Sequence, residues 1–273
     1  SYGGPAFYMR DALGQRWLGV LFSCLIILTY AVGYNMLAAY NLQDTFSVFG
    51  FYTKGTTPMI IGAILAVLFG VIVIGGAKRL TKSTEIMVPF MGILYVLVSL
   101  VVLVLNADRL GEMFAMIFKS AFDCKAIFGG FTGSCMMHGI KRGLYSNEAG
   151  MGSSPNAAAT ADVSHPAKQG LVQMLSVFID TLLICTATAF MCLSSGASFG
   201  PEIGGAAYVQ TSMAENLGAF GPVFLSAAMS LFAFTTLIGN YSYCEGCLRF
   251  ILNRAVSRGG ILAFRSLATL LVF

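Results

Sequence analysis

FGGFTGS (128–134) places three glycines in seven positions, in the middle of an otherwise apolar segment, 126–140. Glycine is about 1 kcal/mol poorer than alanine inside a helix. A helix needs roughly 20 apolar residues to cross a bilayer, and 126–140 offers fifteen uncharged ones. Such a segment either packs closely on its neighbours, as small residues allow, or breaks its helix on purpose. In lipid every backbone N–H and C=O needs a partner, and irregular backbone survives only when buried in protein or lining a wet cavity.

The rest of the chain makes this a question about lipid. Of the 273 residues, 57% are hydrophobic and 10% are charged, and the mean hydropathy is +0.79. Soluble domains carry about 25% charge. The composition therefore predicts an all-α integral membrane protein. Uncharged runs at 17–43, 58–77, 86–107 and 220–244 are long enough to span. The run 169–199 spans with one interruption, Asp180, and 259–273 begins a further span. The chain starts without Met in a Gly/Pro turn and ends inside an apolar run. The expectation is a fragment, 1–273, of a single transmembrane domain.

A net charge of +4 does not point to nucleic acid, because the basic residues sort by side. With the residue-1 end in the cytoplasm, alternating spans leave twelve of the sixteen Lys and Arg inside, as cytoplasmic loops require. Lys54, Arg109, Lys119 and Lys125 remain outside. This bias requires 126–140 to cross. The implied location is the cell membrane, plasma or inner, with several passes.

Seven scattered cysteines, an odd number in apolar helices, are not a disulfide framework. Cys244 and Cys247 form a lone CxxC without a second pair. His138 and His165 lack metal-ligand spacing. No organic cofactor is called for. Between the spans, Leu110, Met113, Phe114, Ile117, Phe118 and Ala121 follow helical spacing. Further helix is expected around 210–215, and a short helix in 153–163 with Pro155 in its first turn.

Two features favour a deliberate break at the glycines over simple close packing. Phe128, Phe131 and Thr132 put an apolar wall and a hydroxyl among Gly129, Gly130 and Gly133, the mix expected of a small-molecule site. Polar residues recur at similar depth in other spans: Asn35, Asp180, Thr235 and Thr236. Broken helices at the bilayer midplane are the binding device of many secondary transporters. Half-helix N-termini attract a carboxylate, and freed carbonyls attract a cation. The expectation is two short helices within 126–145, meeting near 129–133.

KRGLYSNEAGMGSSPNAAATADVSHPAKQGLVQML (141–175) closely resembles the signature of the alanine-or-glycine:cation symporter family. FIDT (178–181), VPFMGILY (88–95), GGPAFYM (3–9) and FAFTTLIGN (232–240) are similar to the same family. The resemblance covers essentially the whole chain and is most specific at SNEAG (146–150). It implies sodium-coupled symport of small neutral amino acids across a lipid bilayer, alanine or glycine foremost. It also implies a leucine-transporter-type fold of two inverted five-helix repeats. This chain would hold core helices three to eight and the start of nine, with FGGFTGS as the break in core helix six. Two positions depart from the family. Ala38 stands where the family often has Gln, and Asn240 where it often has Trp; both positions are implied to face the pocket.

The substrate contacts implied are Gly129, Gly130, Phe131, Thr132, Gly133, Asn35 and Asn240. Asn35 either lines the pocket or joins helices. Thr235 and Thr236 are the sodium candidates, since Na⁺ prefers oxygen ligands as other hard cations do. The alternative is that each hydroxyl bonds the carbonyl four residues back in its own helix. Asp180 either serves coupling or gating, or is buried in a pair with Lys or Arg, or is a protonated carboxyl with no transport role; intramembrane carboxylates are costly and usually face a partner or cavity. Asn147 and Glu148, with Ser146, are read as holding a cytoplasmic gate. A channel is the alternative function, because a Gly-rich broken segment can line a pore; no repeated filter or carboxylate ring supports it. An enzyme is disfavoured: SGAS (195–198) and His138 fall at opposite ends of different spans.

Overall fold

The computed structural model describes residues 3–75, 77–122, 130–148, 150–196, 205–252 and 258–272. Among them the regular structure is entirely helical. The helices are α1 (Pro5–Asp11), α2 (Arg16–Val48), α3 (Thr56–Ile74), α4 (Ala77–Leu105), α5 (Leu110–Ala121) and α6 (Gly130–Ser146). They continue as α7 (Ser153–Ala158), α8 (Pro166–Leu193), α9 (Gly205–Leu217), α10 (Phe220–Leu252) and α11 (Arg258–Val272). Five are long and apolar enough to span: α2, Thr84–Leu105 of α4, α3, α8 and α10. These are the five long runs expected from hydropathy. The expected short helices appear as α5, α9 and α7, and Pro155 sits in the first turn of α7.

The helix α10 is the axis of the molecule. Half of its most apolar stretch is buried, against 11–28% in the other spans. It runs antiparallel to α2, because ascending positions on α2 meet descending ones on α10. A Cβ on Gly19 would lie 2.8 Å from the ring of Phe250. Tyr30 packs edge-on against Tyr243 at 5.6 Å, and Asn240 bonds Asn35 at 2.8 Å. The apolar centre joins Leu42 of α2, Leu65 and Phe69 of α3, Leu237 and Ile238 of α10, and Ala268 of α11. A second cluster packs Tyr95 of α4, Met191 of α8 and Met213 of α9 on Phe224 and Leu225.

Polar anchors hold the helix ends. Gln210 of α9, fully buried, donates to the Thr45 carbonyl and to Ser226 Oγ, each at 2.9 Å. Asn216 accepts from Asn106 at 2.8 Å and donates to the Met191 carbonyl at 3.1 Å. At the other end of α10, Tyr241 and Arg249 both donate to Glu245, and Arg265 of α11 donates to Tyr241 at 3.2 Å. His165 has a structural role: its Nδ1 accepts from the Ala167 N–H and caps α8.

The glycine segment is described only from Gly130 onward. From Gly130 onward α6 is one continuous helix of 17 residues, and its start falls within the expected meeting point, 129–133. Residues 123–129, Gly129 and Phe128 included, lie outside the described residues. Glycines in a first helical turn give up little, because the N–H groups there have no intrahelical acceptor anyway. At 1.5 Å per residue α6 is about 25 Å long, a little under the hydrocarbon thickness.

Packing against α10 is close enough to test. A Cβ on Gly221 would lie 2.2 Å from the Met213 carbonyl oxygen, which is backbone and cannot step aside. A Cβ on Gly239 would meet nothing within 4 Å. Gly221→Ala should therefore cost about 1–3 kcal/mol through overpacking. Gly239→Ala should be neutral or gain up to about 1 kcal/mol of helix propensity. Thermal melting of the purified protein in detergent checks the pair; equal melting of the two variants would contradict this packing.

Candidate substrate and cation site

Between α2 and α10 lies a cleft of about 170 Å³, lined among others by Tyr34, Ala38, Asn41, Phe232 and Thr236. Tyr145, near the end of α6, closes one side. The volume is below the ~300–1,000 Å³ of pockets for drug-sized ligands. Aromatic rings supply an apolar wall, and Thr236 and Asn41 supply oxygen. A larger cavity of about 420 Å³ between α2, α3, α4 and α10 is lined by Leu42, Phe46, Ile64, Leu68 and their like. Its walls are nearly all hydrocarbon, and a zwitterion placed there would lose its hydration without replacement.

The candidate residues separate into three groups. Asn35 and Asn240 meet: Asn240 Nδ2 donates to Asn35 Oδ1 at 2.8 Å, and both are buried. This bond joins α2 to α10 beside the cleft. Thr235 and Thr236 part company. The Thr235 hydroxyl donates to the carbonyls of Leu231 and Phe232 in its own helix, at 3.0 and 3.1 Å. Thr236 faces the cleft. Gly130–Gly133 stand apart: they open α6, and Tyr145 is roughly 18 Å farther along the same axis at 1.5 Å per residue. One small ligand cannot touch both ends.

The third group joins α6 to α8. Ser146 Oγ donates to Asp180 Oδ2 at 2.7 Å. Thr181 Oγ1 donates to Asn147 Oδ1 at 2.8 Å. Asp180 thus rests on a hydroxyl rather than on Lys or Arg. Both α8 residues, the acceptor Asp180 and the donor Thr181, fall in a π-helical stretch, Ile179–Cys185, where the widened turn re-aims side chains. A matching stretch, Ile27–Tyr34, lies in α2 and ends at the cleft residue Tyr34. Such turns occur often at functional sites. Glu148 follows in a loop with a left-handed backbone, φ 50°.

Sequence reasoning missed the tyrosines. Tyr34 stacks on Tyr145 with centroids 5.3 Å apart and on Tyr30 at 4.8 Å. Tyr30 and Tyr34 sit one turn apart on α2, a spacing visible in the sequence. Tyr145 lies inside the SNEAG signature region, but its partner is set by tertiary structure.

The model of the sodium:alanine symporter family matches residues 1–273. The chain belongs to the sodium:alanine symporter family. It is 42% identical over 266 residues to the probable sodium/glutamine symporter GlnT of Bacillus subtilis, covering 96% of this chain and 55% of that protein. It is 40% identical over 249 residues to the amino-acid carrier protein AlsT of the same organism, covering 91% and 52%. It is 33% identical over 256 residues to the sodium/alanine symporter AgcS of Methanococcus maripaludis, covering 92% and 56%. The chain thus spans about half the length of the curated relatives it matches. Ala38 lies on the cleft, and Asn240 is held in its bond to Asn35.

The Asn35–Asn240 bond is expected to couple α2 to α10. Interhelical bonds of this kind are worth about 0.6 kcal/mol on average and up to about 2. Asn35→Ala and Asn240→Ala should each lower the melting temperature, and the double variant should lose less than the sum of the two. Strict additivity would show that the two amides do not work as a pair.

Proposed function

We propose that this chain forms the core of a sodium-coupled symporter that carries small neutral amino acids, alanine or glycine foremost, by alternating access. It acts as a transporter and not as an enzyme. Membership of the sodium:alanine symporter family supports symport, and the small cleft at Tyr34, Tyr145 and Thr236 carries the choice of substrate. The proposed architecture is the leucine-transporter-type inverted repeat. The proposed location is the cell membrane, with the residue-1 end in the cytoplasm.

The substrate is seated in the cleft. The rings of Tyr34, Tyr145 and Phe232 bound the space left for a side chain. Recognition then falls on the ammonium and carboxylate, which every amino acid shares, and selectivity comes from steric exclusion. Ala38 widens the cleft on the α2 side. The first turn of α6, whose N–H groups have no acceptor within the helix, is a separate point that attracts anions.

Sodium fits Thr236 better than Thr235. A hard cation needs several oxygens, and Thr236 turns its side chain toward the cleft. The Thr235 hydroxyl must first leave its two carbonyl acceptors. Asp180 and Asn147, held by Ser146 and Thr181, couple α6 to the π-helical turn of α8. Glu148 ends that gate.

Uptake into vesicles tests this in two ways. Thr236→Val keeps the shape and removes the hydroxyl; the Na⁺ concentration for half-maximal uptake should rise about tenfold, as for loss of an ion ligand. Thr235→Val should change it less, and equal effects would remove the distinction. In competition against labelled alanine, glycine and serine should compete strongly, and leucine, phenylalanine, lysine and glutamate should not. Glutamine decides the cleft argument, because a similar protein is described as a probable glutamine symporter. If glutamine or leucine competes as well as alanine, the small-cleft reading is wrong and symport can still stand.

A further inference from the structure

A groove of about 530 Å³ lies between α3 and α11, apart from the cleft, lined among others by Ala66, Val67, Gly70, Ile74 and Thr269. The two helices meet at Gly70, where a Cβ would lie 3.2 Å from the Thr269 methyl. Val67 and Ile74 are exposed at 64% and 56%, on a helix long and apolar enough to span. The one hydroxyl among these, Thr269, donates to the Arg265 carbonyl in its own helix at 2.8 Å. The groove runs from Ala66 to Gly75, about 14 Å at 1.5 Å per residue, or half the hydrocarbon thickness. It therefore covers one leaflet, the reach of one acyl chain.

The polar end of the groove is a guanidinium. Arg265 Nη1 donates to the carbonyl of Ile74 at 3.4 Å, and its Nε donates to Tyr241 Oη at 3.2 Å. Its Nη2 stands 3.8 Å from Glu245, beyond hydrogen-bond reach. Glu245 is already taken: Arg249 donates to Oε1 through Nε and Nη2 at 3.2 and 2.7 Å, and Tyr241 donates to Oε2 at 2.6 Å. Two guanidiniums share one carboxylate, which leaves one positive charge over. Among the described residues no other carboxylate pairs with Arg265. Its side chain is only 16% exposed, so water compensates the charge poorly. The chain that follows Gly75 adds Lys78, Arg79 and Lys82 before its next acidic residue, Glu85.

We propose that this groove binds a membrane phospholipid with a net negative headgroup. One acyl chain lies along Val67 and Gly70, and a phosphate oxygen accepts from Arg265 Nη2. A guanidinium suits phosphate because its planar fork offers parallel donors, and basic pockets between spanning helices take such headgroups. A free phosphate has no chain for the groove, and an uncharged lipid has nothing for Arg265. In a zwitterionic lipid the headgroup's own cation offsets the phosphate, so the charge left over at Arg265 favours the anionic one. Tyr241 ties the site to α10, one residue from the Asn35–Asn240 bond. The site depends on α3 spanning the bilayer and not on which amino acid is carried.

Native mass spectrometry of the purified complete protein, delipidated and then titrated with phosphatidylglycerol or phosphatidylcholine of the same chains, tests the site. The first phosphatidylglycerol should bind about fivefold or more tightly than phosphatidylcholine. Arg265→Gln should remove that preference, and Arg265→Lys, which keeps the charge, should retain most of it. Val67→Trp, which fills the groove from an exposed position, should weaken both lipids. Equal binding of the two lipids by the wild type, or a preference that survives Arg265→Gln, overturns the headgroup contact and the proposal with it. Unchanged binding in Val67→Trp overturns the groove. A wild-type protein that takes up no lipid has this groove covered by another part of its chain, which overturns the site as well. Should Arg265→Gln fail to fold by size-exclusion chromatography, the wild-type preference and Val67→Trp decide. The readout involves no transport, so its failure leaves symport standing.

Discussion

A backbone amide in hydrocarbon has no water to turn to, and each unpaired one costs several kcal/mol. Every long apolar run here answers with a helix, and the helices then need a reason to stay together, since lipid is as apolar as leucine. The reason is α10. Its small residues bring backbones close, as at Gly221 under Met213. Its polar residues find partners on other helices, as Asn240 does on Asn35. The antiparallel seam between α10 and α2 carries the cleft and the Asn35–Asn240 bond.

Along that seam the chemistry changes with depth. At one end Gln210 locks α9 onto α2 and α10 with its amide fully buried. In the middle the seam opens into the cleft. Past Asn35 it fills with tyrosine rings that stack from Tyr145 through Tyr34 to Tyr30 and meet Tyr243 edge-on. Beyond these, Phe250 closes on Gly19 and on Phe7 of α1. Rings are stiff, so a small displacement of Tyr34 is passed to both neighbours.

The pair of bonds between α6 and α8 has a different character. Ser146 to Asp180 and Thr181 to Asn147 link consecutive residues on each side. Both lie at a π-helical turn, where the backbone ladder is already relaxed. The Thr181–Asn147 bond joins neutral groups and breaks at low cost, whereas Asp180 needs a new partner when it leaves Ser146.

The sequence by itself determined the spans, because long uncharged runs in a chain that is 57% hydrophobic must pair their backbone groups internally in lipid. It also determined the short helices α5, α7 and α9 through spacing and Pro155, and it pointed to Asn35, Asp180 and Thr236 because polar atoms at membrane depth are expensive. Tertiary structure decided what each polar atom does. Identical hydroxyls at Thr235 and Thr236 face opposite fates, one bonded to its own helix and one turned to the cleft, since adjacent helical residues point about 100° apart. Tyr145 reaches Tyr34 across 111 residues of chain, and Tyr30 meets Ser153 across 123; no local pattern encodes a contact that only the packing of α2 against α6, α7 and α10 creates.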